Sequence, residues 1–474
     1  MDRHPNFING RWSPTATDSY SPLIDPCTGD QFAEAARSGS ADIDGAFAAA
    51  AAAFPTWAAY SPWERQRVLL AVADRVEGNA GRLAGIESAN TGKPRETTRV
   101  EEIGVAVDVF RFFAGAIRSA LAPAAGEYMA DHTSYVRREP IGVCAHMVPF
   151  NYPLLMAVWK LAPALAAGNT VVLKPSRNTP LSVLAFADLT ADLLPPGTVN
   201  VVCGDRHATA DITRHRTAQH VSATAATDSG LAIATSALTS VKRLHLGLGG
   251  KSPAIVFGDA DVPRAARHIA HAAYFNGGQD CTAATRILVD STAHDDFIAE
   301  LTNQATSLVT TGPDDDVAAF YGPLNNQNQI DRIGRALDAL PDHAEVTTGG
   351  KPLNRPGFFH PPTIVTNVTN EDAIVRDELF GPVVTVERFS ADQDVISTAN
   401  AADYGLAASV HTRVHRTAMR ASSELDYGCV WVNTHLPLPA EMPHGGFKQS
   451  GFGKDLSLYG LDEYTRIKHV MHLV

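Results

Sequence analysis

The chain has 474 residues, of which 45% are hydrophobic and 19% are charged, and its formal net charge at pH 7 is −12. This length and composition are typical of a soluble globular protein with two or three domains. The acidic charge, without any stripe rich in lysine and arginine, excludes a nucleic-acid interface.

The five cysteines are odd in number and far apart: Cys27, Cys144, Cys203, Cys281 and Cys429. No pair has the spacing of a zinc site or a redox pair, so we expect no metal site and a reducing, cytoplasmic location. The N-terminus lacks the pattern of a secretory leader. The most apolar region, 153–173, is interrupted by a lysine, a proline, a glycine and an asparagine. It predicts a buried helix followed by a buried strand, not a membrane span.

Two helices are predicted early in the chain. Segment 41–57 is rich in alanine and begins with acidic residues, and segment 62–79 has apolar residues at helical spacing. Two strand–helix–strand sets follow, at 169–173, 180–194 and 199–203, and at 254–257, 262–274 and 286–289. This order predicts βαβ units in two α/β layers with parallel strands. An α+β domain with unrelated strands is the alternative.

Cys281 lies in the sequence Phe275-Asn-Gly-Gly-Gln-Asp-Cys-Thr-Ala-Ala-Thr, among small and polar residues. A thiol in these surroundings can approach a small carbonyl compound without steric obstruction, and a thiolate is a strong nucleophile. An inert cysteine in a turn is the alternative.

Asn151 lies far upstream in Val148-Pro-Phe-Asn-Tyr-Pro, between two prolines whose fixed φ angles hold the backbone rigidly. A rigid amide can donate to the oxyanion that forms when a nucleophile attacks a carbonyl group. A turn-forming asparagine is the structural alternative. Together, Cys281 and Asn151 indicate nucleophilic chemistry on a carbonyl compound.

These two segments, with Leu173-Lys-Pro-Ser, Leu248-Gly-Gly-Lys-Ser-Pro and Glu378-Leu-Phe-Gly-Pro-Val, resemble the aldehyde dehydrogenase superfamily over nearly the whole chain. Further segments, among them Asp108-Val-Phe-Arg-Phe-Phe-Ala-Gly and Gly453-Lys-Asp-Leu-Ser-Leu-Tyr-Gly, are most similar to bacterial gamma-aminobutyraldehyde (aminoaldehyde) dehydrogenases.

The resemblance implies an α/β fold with a Rossmann-type cofactor domain, an α/β catalytic domain and a small β oligomerisation ribbon. It places the dinucleotide-binding domain at 1–127 and 144–245 and the catalytic domain at 246–435. The ribbon and C-terminal segment are placed at 128–143 and 436–474. A homodimer or homotetramer is expected.

The resemblance also implies roles for individual residues. Cys281 would attack an aldehyde, and Asn151 with the backbone N–H of Cys281 would stabilise the oxyanion. Hydride would leave to NAD or NADP, and a thioester would remain on Cys281. The implied cofactor-binding residues are Pro149, Phe150, Lys174, Ser176, Arg177, Thr224, Ala226, Gly230, Leu248, Glu378 and Phe380.

Gly247 departs from the family pattern. Relatives carry Glu-Leu-Gly-Gly-Lys, where the glutamate activates the water that hydrolyses the thioester, but this chain has Leu246-Gly-Leu-Gly-Gly-Lys. Glycine has no proton acceptor, and a positioned general base is typically worth about 10²–10⁴-fold in rate. Hydrolysis must therefore use another carboxylate or bulk water, or the acyl group must pass to another acceptor.

Two departures concern the cofactor. Relatives that prefer NAD usually have a glutamate where this chain has Arg177, and an arginine can pair with a 2′-phosphate, which favours NADP. Alternatively, Arg177 only fills the ribose site. Ala225 and Ala226 replace the glycine and serine that relatives place beside the pyrophosphate, with Thr224 and Gly230 retained, so weaker cofactor binding is expected.

Five residues predict a substrate pocket that is aromatic and acidic and suits a cationic amine: Asp108, Tyr152, Trp159, Trp431 and Glu441. Core aromatics and surface acids are the alternative interpretation.

The leading hypothesis is NAD(P)-dependent oxidation of a small (amino)aldehyde. The alternative is acyl transfer to CoA, a carrier thiol or an amine, or reduction of a thioester, because superfamily members that use CoA lack the glutamate. A non-redox binding protein is the third and least favoured hypothesis.

Overall fold

Two α/β sheets and a three-stranded ribbon carry the fold. The structure, a computed structural model, describes residues 2–119, 125–312 and 319–474. The strands in this part of the chain are β1 (Asp2–His4), β2 (Asn6–Ile8), β3 (Arg11–Ser13), β4 (Tyr20–Ile24), β5 (Gln31–Ala36), β6 (Gly126–Met129), β7 (His132–Pro140), β8 (Val143–Met147), β9 (Thr170–Lys174), β10 (Val199–Val201), β11 (Ala218–Thr224), β12 (Arg243–Gly247), β13 (Pro253–Val256), β14 (Arg286–Asp290), β15 (Glu345–Thr348), β16 (Thr363–Thr366), β17 (Val383–Phe389), β18 (Tyr404–Gly405), β19 (Ala407–His411), β20 (Cys429–Val432), β21 (Phe447–Lys448), β22 (Gly451–Phe452) and β23 (Thr465–Leu473).

The helices are α1 (Ser40–Ala59), α2 (Pro62–Glu77), α3 (Ala80–Thr91), α4 (Arg95–Thr97), α5 (Val105–Ser119), α6 (Pro153–Ala167), α7 (Leu181–Leu189), α8 (Arg206–Arg214), α9 (Thr227–Ala237), α10 (Val262–Tyr274), α11 (His294–Ser307), α12 (Gln327–Asp338), α13 (Ala373–Arg376), α14 (Val395–Asn400), α15 (His415–Glu424) and α16 (Ser457–Glu463). A π-helical stretch, Thr98–Gly104, joins α4 to α5, and a 3₁₀ turn, Phe275–Gly278, follows α10.

The first sheet has the strand order β22-β12-β11-β8-β9-β10-β2-β3. Its five inner strands, β12 to β10 in this order, are parallel, so their carboxyl ends lie along one edge. Strand β8 has β9 as its neighbour on one side and β11 on the other, so the order of the strands reverses its direction at β8. Open α/β sheets bind ligands at the carboxyl ends of the strands where this reversal occurs. Helix α6 is buried along its whole length because its sequence is apolar on nearly every side.

The second sheet has the order β15-β16-β17-β14-β13-β19-β20 and is parallel except for β15. Helix α10 packs an alanine-rich face against it, together with Phe297 and Leu301 of α11. The strands change sheet between β12 and β13, and the predicted boundary at 245 and 246 falls inside β12. The domain division stays a prediction.

The ribbon joins the extreme C-terminus to the segment before β8. Strand β23 pairs antiparallel with β7, from Thr465 opposite Pro140 to Leu473 opposite His132, and β7 pairs with β6. Tyr128, Ile467 and Leu473 expose most of their surface. A role of this ribbon in oligomerisation stays a prediction.

The predicted helices and strands are confirmed in most places, with two corrections. The helix predicted at 180–194 ends at Leu189, where the Thr190 hydroxyl donates to the Phe186 carbonyl at 2.9 Å and the chain turns. Val143 was placed in the ribbon but begins β8 of the first sheet, because Gly142, at φ 137°, redirects the chain after β7. Among the described residues, no helix combines the length and the apolar character that a membrane crossing requires.

Candidate active site

Cys281 follows a tight turn at the end of α10. The backbone is left-handed at Asn276, Gly277 and Gly278, with φ of 52°, 64° and 68°, a conformation that favours glycine and asparagine. A Cβ on Gly278 would lie 2.2 Å from the carbonyl oxygen of Gly381. Only glycine therefore allows this turn to pack against the loop that carries Gly381.

Cys281 lines a cavity of about 1050 Å³ at the carboxyl ends of β8, β11 and β12. The structure brings eleven other predicted site residues to the same cavity: Pro149, Phe150, Asn151, Tyr152, Trp159, Thr224, Ala226, Gly247, Leu248, Glu378 and Phe380. Their individual roles stay predictions, but residues from distant parts of the sequence meet at one place.

The Asn151 side chain lies beside the Cys281 segment. Its Nδ2 donates to the carbonyl oxygen of Gln279 at 2.9 Å, and the Asn276 side chain donates to the Asn151 carbonyl oxygen at 3.0 Å. An amide nitrogen carries two hydrogens, so one N–H of Asn151 remains for a ligand in the cavity. The geometry therefore supports the predicted oxyanion donor.

The Cys281 thiol is surrounded by negative charge. Burial raises the pKa of Cys281 well above its usual value, and Asp280, Glu378 and Asp455 raise it further. The thiol is thus protonated in the ligand-free protein at neutral pH. Nucleophilic attack requires the proton to leave as the substrate binds.

Glu378 lies against a glycine-lined wall of the cavity. Its Oε1 accepts from the backbone N–H of Gly250 at 2.9 Å, and a Cβ on Gly249 would lie 2.3 Å from Oε2. The ring of Phe380 meets that of Phe150 edge-on at 5.8 Å, and the carbonyl oxygen of Phe380 accepts from Gln329 at 3.1 Å. A carboxylate and an aromatic pair therefore line the cavity beside this glycine segment.

The cavity residues on β11 and at the start of α9 fit a dinucleotide. Helix α9 begins after Ala226, which has no side-chain acceptor, so the first backbone N–H groups of the helix stay available to an anion such as a pyrophosphate. The buried hydroxyl of Thr224 has no hydrogen-bond partner among the described residues. A Cβ on Gly230 would lie 2.3 Å from Leu248, so this glycine sets the close packing of α9 on the sheet.

Lys174, Ser176 and Arg177 lie at the carboxyl end of β9, the same sheet edge, but outside the cavity lining in the described part of the chain. Burial lowers the pKa of Lys174 to about 8, and its Nζ donates to the Pro175 carbonyl oxygen at 3.1 Å. The Ser176 hydroxyl accepts from the backbone N–H of Asn178 at 3.3 Å. Arg177 is exposed and adds positive charge beside Lys174.

Comparison with known proteins agrees with this geometry. The profile of the aldehyde dehydrogenase family matches residues 12–470. The chain belongs to the aldehyde dehydrogenase family. Human retinal dehydrogenase 2 is 38% identical over 98% of this chain and 90% of that protein. Betaine aldehyde dehydrogenase of Bacillus subtilis is 37% identical over 98% of this chain and 96% of that protein.

A solved structure of a Bacillus cereus aldehyde dehydrogenase in complex with NAD+ superposes with a TM-score of 0.97, at 34% identity, covering 100% of this chain and 97% of that one. The aldehyde dehydrogenase fold and the enzyme class, an NAD(P)-dependent oxidoreductase acting on aldehydes, are therefore confirmed. These relatives are retinal and betaine aldehyde dehydrogenases, so the predicted resemblance to aminoaldehyde dehydrogenases in particular is not confirmed.

Three of the five predicted substrate residues lie outside the cavity lining of this aldehyde dehydrogenase, as far as its residues are described. Asp108 is on the exposed face of α5, and Glu441 is exposed. Trp431 is buried in β20, and its indole N–H donates to the Pro437 carbonyl oxygen at 2.9 Å. Tyr152 and Trp159 do line the cavity, so the predicted pocket keeps two of its three aromatic residues and loses Trp431 and the two predicted acids.

Asp455 is the principal cavity residue that sequence reasoning missed. It is 4% exposed, lines the cavity, and its two oxygens accept from Lys160 Nζ at 3.3 and 3.4 Å. Its Oδ2 lies 3.8 Å from the position that a Cβ on Gly247 would take. The segment Gly453-Lys-Asp-Leu supported the family resemblance, but this contact depends on β22 pairing with β12.

Asp280 was also missed, although it immediately precedes Cys281. Its Oδ2 accepts from the Tyr152 hydroxyl at 2.8 Å, and its Oδ1 accepts from the backbone N–H of Thr282 at 2.7 Å. His435 Nε2 lies 2.7 Å from the Thr282 carbonyl oxygen. These contacts fix the segment on both sides of the nucleophile. The adjacency of an acid and a candidate nucleophile in the sequence was a usable signal.

Proposed function

We propose that this aldehyde dehydrogenase oxidises a small aldehyde through a thiohemiacetal and a thioester on Cys281, and that water then hydrolyses the thioester with Asp455 as the base. One observation carries the proposal: the Cys281 thiol, a free N–H of Asn151 and the Asp455 carboxylate all lie at one cavity.

In the first half of the reaction, the Cys281 thiol releases its proton to solvent and its sulfur bonds to the aldehyde carbon. The carbonyl oxygen becomes an oxyanion that accepts from Asn151 Nδ2 and from the backbone N–H of Cys281. Such donors typically contribute about 2.7–4 kcal/mol each to lowering the barrier. A bound nicotinamide supplies the acceptor for the hydride of the aldehyde carbon. The carbonyl double bond reforms, and the acyl group stays on Cys281 as a thioester.

In the second half, a water molecule attacks the thioester carbon and gives a proton to Asp455. The carbon–sulfur bond breaks, the carboxylic acid leaves, and the sulfur of Cys281 is free again. The Asp455 carboxylate occupies the space beside Gly247 where a glutamate side chain would begin. The buried Lys160 ammonium donates to the two Asp455 oxygens at 3.3 and 3.4 Å and holds the carboxylate in this position.

The substrate class follows from the charge and shape of the cavity. Five carboxylate residues line it, Glu96, Glu101, Asp280, Glu378 and Asp455, against two arginines, Arg267 and Arg332. Tyr152 and Trp159 add aromatic rings, and the Lys93 ammonium already lies 4.6 Å from the centre of the Tyr152 ring. This environment supports an aldehyde that carries a positive charge, of the amino or quaternary ammonium kind.

For the cofactor, we propose that Arg177 and Lys174 together favour NADP over NAD. Both residues lie at the carboxyl end of β9, and the exposed guanidinium of Arg177 is available to a 2′-phosphate.

Titration with NAD+ and NADP+, followed by assays of cationic and neutral aldehydes with and without CoA, tests the proposed function. Fast oxidation of a cationic aldehyde that CoA leaves unchanged supports it. A steady rate that depends on CoA or another thiol would instead favour the acyl-transferring alternative. This alternative is consistent with Gly247, because a glycine has no side chain that could act as a base. In that outcome, the carboxylate beside Gly247 does not serve hydrolysis.

A further inference from the structure

A second cluster of reactive side chains lies inside the first sheet. Cys144 and His146 are two residues apart on β8 and therefore share one face of the sheet. On β11, His220 lies opposite Cys144 in the parallel register. The cysteine sulfur and one ring nitrogen of each histidine all lie within 4.8 Å of one another. All three side chains are completely buried, and in the described part of the chain none of them lines the catalytic cavity.

The two histidines leave their hydrogen-bonding capacity unused. Both ring nitrogens of His146 and both of His220 are without a partner among the described residues. Buried polar atoms in folded proteins are nearly always partnered. Four unpartnered ring nitrogens in one spot therefore point to a bound group that the protein atoms alone do not show.

The cluster is enclosed by protein. The centre of the Tyr464 ring lies 5.5 Å from that of His146 and 4.7 Å from that of His220. Two imidazoles and a thiol under an aromatic ring are suitable ligands for a thiophilic cation.

We propose that Cys144, His146 and His220 bind one zinc ion inside the first sheet. On binding, a sulfur–zinc bond and two nitrogen–zinc bonds form, and the thiol proton is released to solvent. Neighbouring ligand atoms on a tetrahedral zinc ion lie roughly 3.3–3.7 Å apart. Atoms that already lie within 4.8 Å of one another reach this spacing by small side-chain rotations. A water molecule completes the four ligands.

The ion has a structural role at this position. It links β8 to β11, whose carboxyl ends carry Asn151 and Thr224 at the catalytic cavity. The cysteine spacing predicted no metal site, because two of the three ligands are histidines and the set is assembled by pairing between parallel strands. The spacing rule applies to ligands in one local segment.

Metal analysis of the purified protein tests this proposal. Because the site is completely buried, zinc or cobalt is supplied both in the growth medium and during refolding from denaturant. The background variant Cys281→Ala removes the catalytic thiol as a competing ligand. We expect about one zinc ion per chain, and with cobalt we expect a thiolate-to-metal charge-transfer band and the visible absorption of a four-coordinate ion.

In this background, Cys144→Ser and His220→Gln should each lower the metal content at least about tenfold. Cys203→Ser is the matched control and should leave it unchanged. Cys203 is also a buried thiol of the first-sheet region, with its pKa raised to about 12 by burial, and it is not part of the histidine cluster.

A second measurement does not depend on the stability of the variants. The zinc-loaded parent should have a higher Tm than the same protein refolded with a chelator. Metal content below about a tenth of an ion per chain after both loading routes would overturn the proposal. So would a cobalt spectrum without the thiolate band, a Tm that zinc does not change, or equal losses in the Cys144 and Cys203 variants.

Discussion

The Asp455 carboxylate lies beside the vacant side-chain position of Gly247, with Oδ2 3.8 Å from the point where a Cβ on residue 247 would stand. The two residues belong to neighbouring segments, since β22 pairs with β12 through Gly451 opposite Gly247. A carboxylate thus reaches the space of the missing glutamate from a different part of the chain. Asp455 therefore offers a carboxylate at the position where the family resemblance predicts a base.

Replacement of Asp455 by asparagine tests its role as the base. Asp455→Asn keeps the size of the side chain but removes its proton acceptor, so the steady-state rate should fall by about 10²–10⁴-fold. Formation of the thioester does not require this base. Rapid mixing with aldehyde and cofactor should therefore give a burst of reduced nicotinamide followed by a slow phase, whereas the parent protein should show no burst.

Asp462→Asn is the matched control, because this acid lies in the same segment with 51% of its side chain exposed. Removal of the Asp455 charge also leaves the buried Lys160 ammonium without its carboxylate partner, so thermal unfolding must show that the variant is folded at the assay temperature. A folded Asp455→Asn variant with the parent rate would show that another group activates the water.

Gly247→Glu should restore hydrolysis in the Asp455→Asn background. A Cβ at position 247 makes only ordinary contacts, at 3.4 Å to the Thr224 hydroxyl and 3.8 Å to Asp455, so a side chain has room to begin there. In the parent, the same change should have little effect, because Asp455 already supplies the base. If Gly247→Glu instead raised the steady-state rate of the parent by about 10²–10⁴-fold, Asp455 would not be acting as the base, and hydrolysis would be the rate-limiting step of the parent.

Cys281→Ala should abolish turnover while the protein stays folded. Cys281 provides the only thiol at the cavity among the described residues, and removal of a single sulfur atom creates little empty volume. Aldehyde oxidation and thermal unfolding are measured together, with Cys429→Ala, another partly exposed thiol, as the control. Oxidation by Cys281→Ala at the parent rate would exclude the covalent mechanism.

The pattern of the sequence predicted an α/β fold with parallel strands and four strands of the two sheets, and the family resemblance predicted twelve of the residues that line the cavity. The helix at 262–274 and the strands at 254–257 and 286–289 were predictable because their apolar spacing and their boundaries are local. Cys281 could be identified because two glycines precede it and give the backbone unusual freedom. Asn151 could be identified because prolines on both sides restrict the backbone.

The contacts that could not be predicted depend on pairing between distant segments. Asp455 reaches Gly247 only through the register of β22 with β12, and His220 meets Cys144 only through the register of β11 with β8. Asp108 was assigned to the pocket on its residue type and on family resemblance. Its position on α5 turns it to solvent, whereas Val105, and Val100 and Glu101 of the preceding π-helical stretch, line the cavity.

Arg177→Glu should exchange the cofactor preference. The exposed guanidinium offers two parallel N–H donors to a 2′-phosphate, whereas a carboxylate repels the phosphate and accepts from ribose hydroxyls. The Kd for NADP+ should rise and the Kd for NAD+ should fall in calorimetric titrations. Arg206→Glu, a change of the same charge at the start of α8, serves as the control for a general effect of charge. Equal changes for both cofactors would show that Arg177 does not discriminate.

The affinity for NADP+ should also depend on pH through Lys174. Burial lowers the pKa of this lysine from 10.5 to about 8, so its ammonium is present below pH 8 and is lost as the pH rises through that value. Two other neighbours of Lys174 do not titrate in this range, since the pKa is about 12 for Cys203 and about 2 for Asp205. If the ammonium binds the adenosine end of the cofactor, the Kd for NADP+ rises with pH across about 8.

The same titrations on Lys174→Met separate this lysine from other sources of pH dependence. The variant should bind NADP+ more weakly below pH 8 and should lose the step near pH 8. The pH affects folding in the opposite direction to cofactor affinity. Between the folded-state pKa of about 8 and 10.5, the unfolded chain keeps a proton on this lysine that the folded chain has lost. The contribution of Lys174 to the free energy of unfolding therefore increases with pH across that interval. A Kd that falls with rising pH, or a step of equal size in Lys174→Met, would place the titrating group elsewhere.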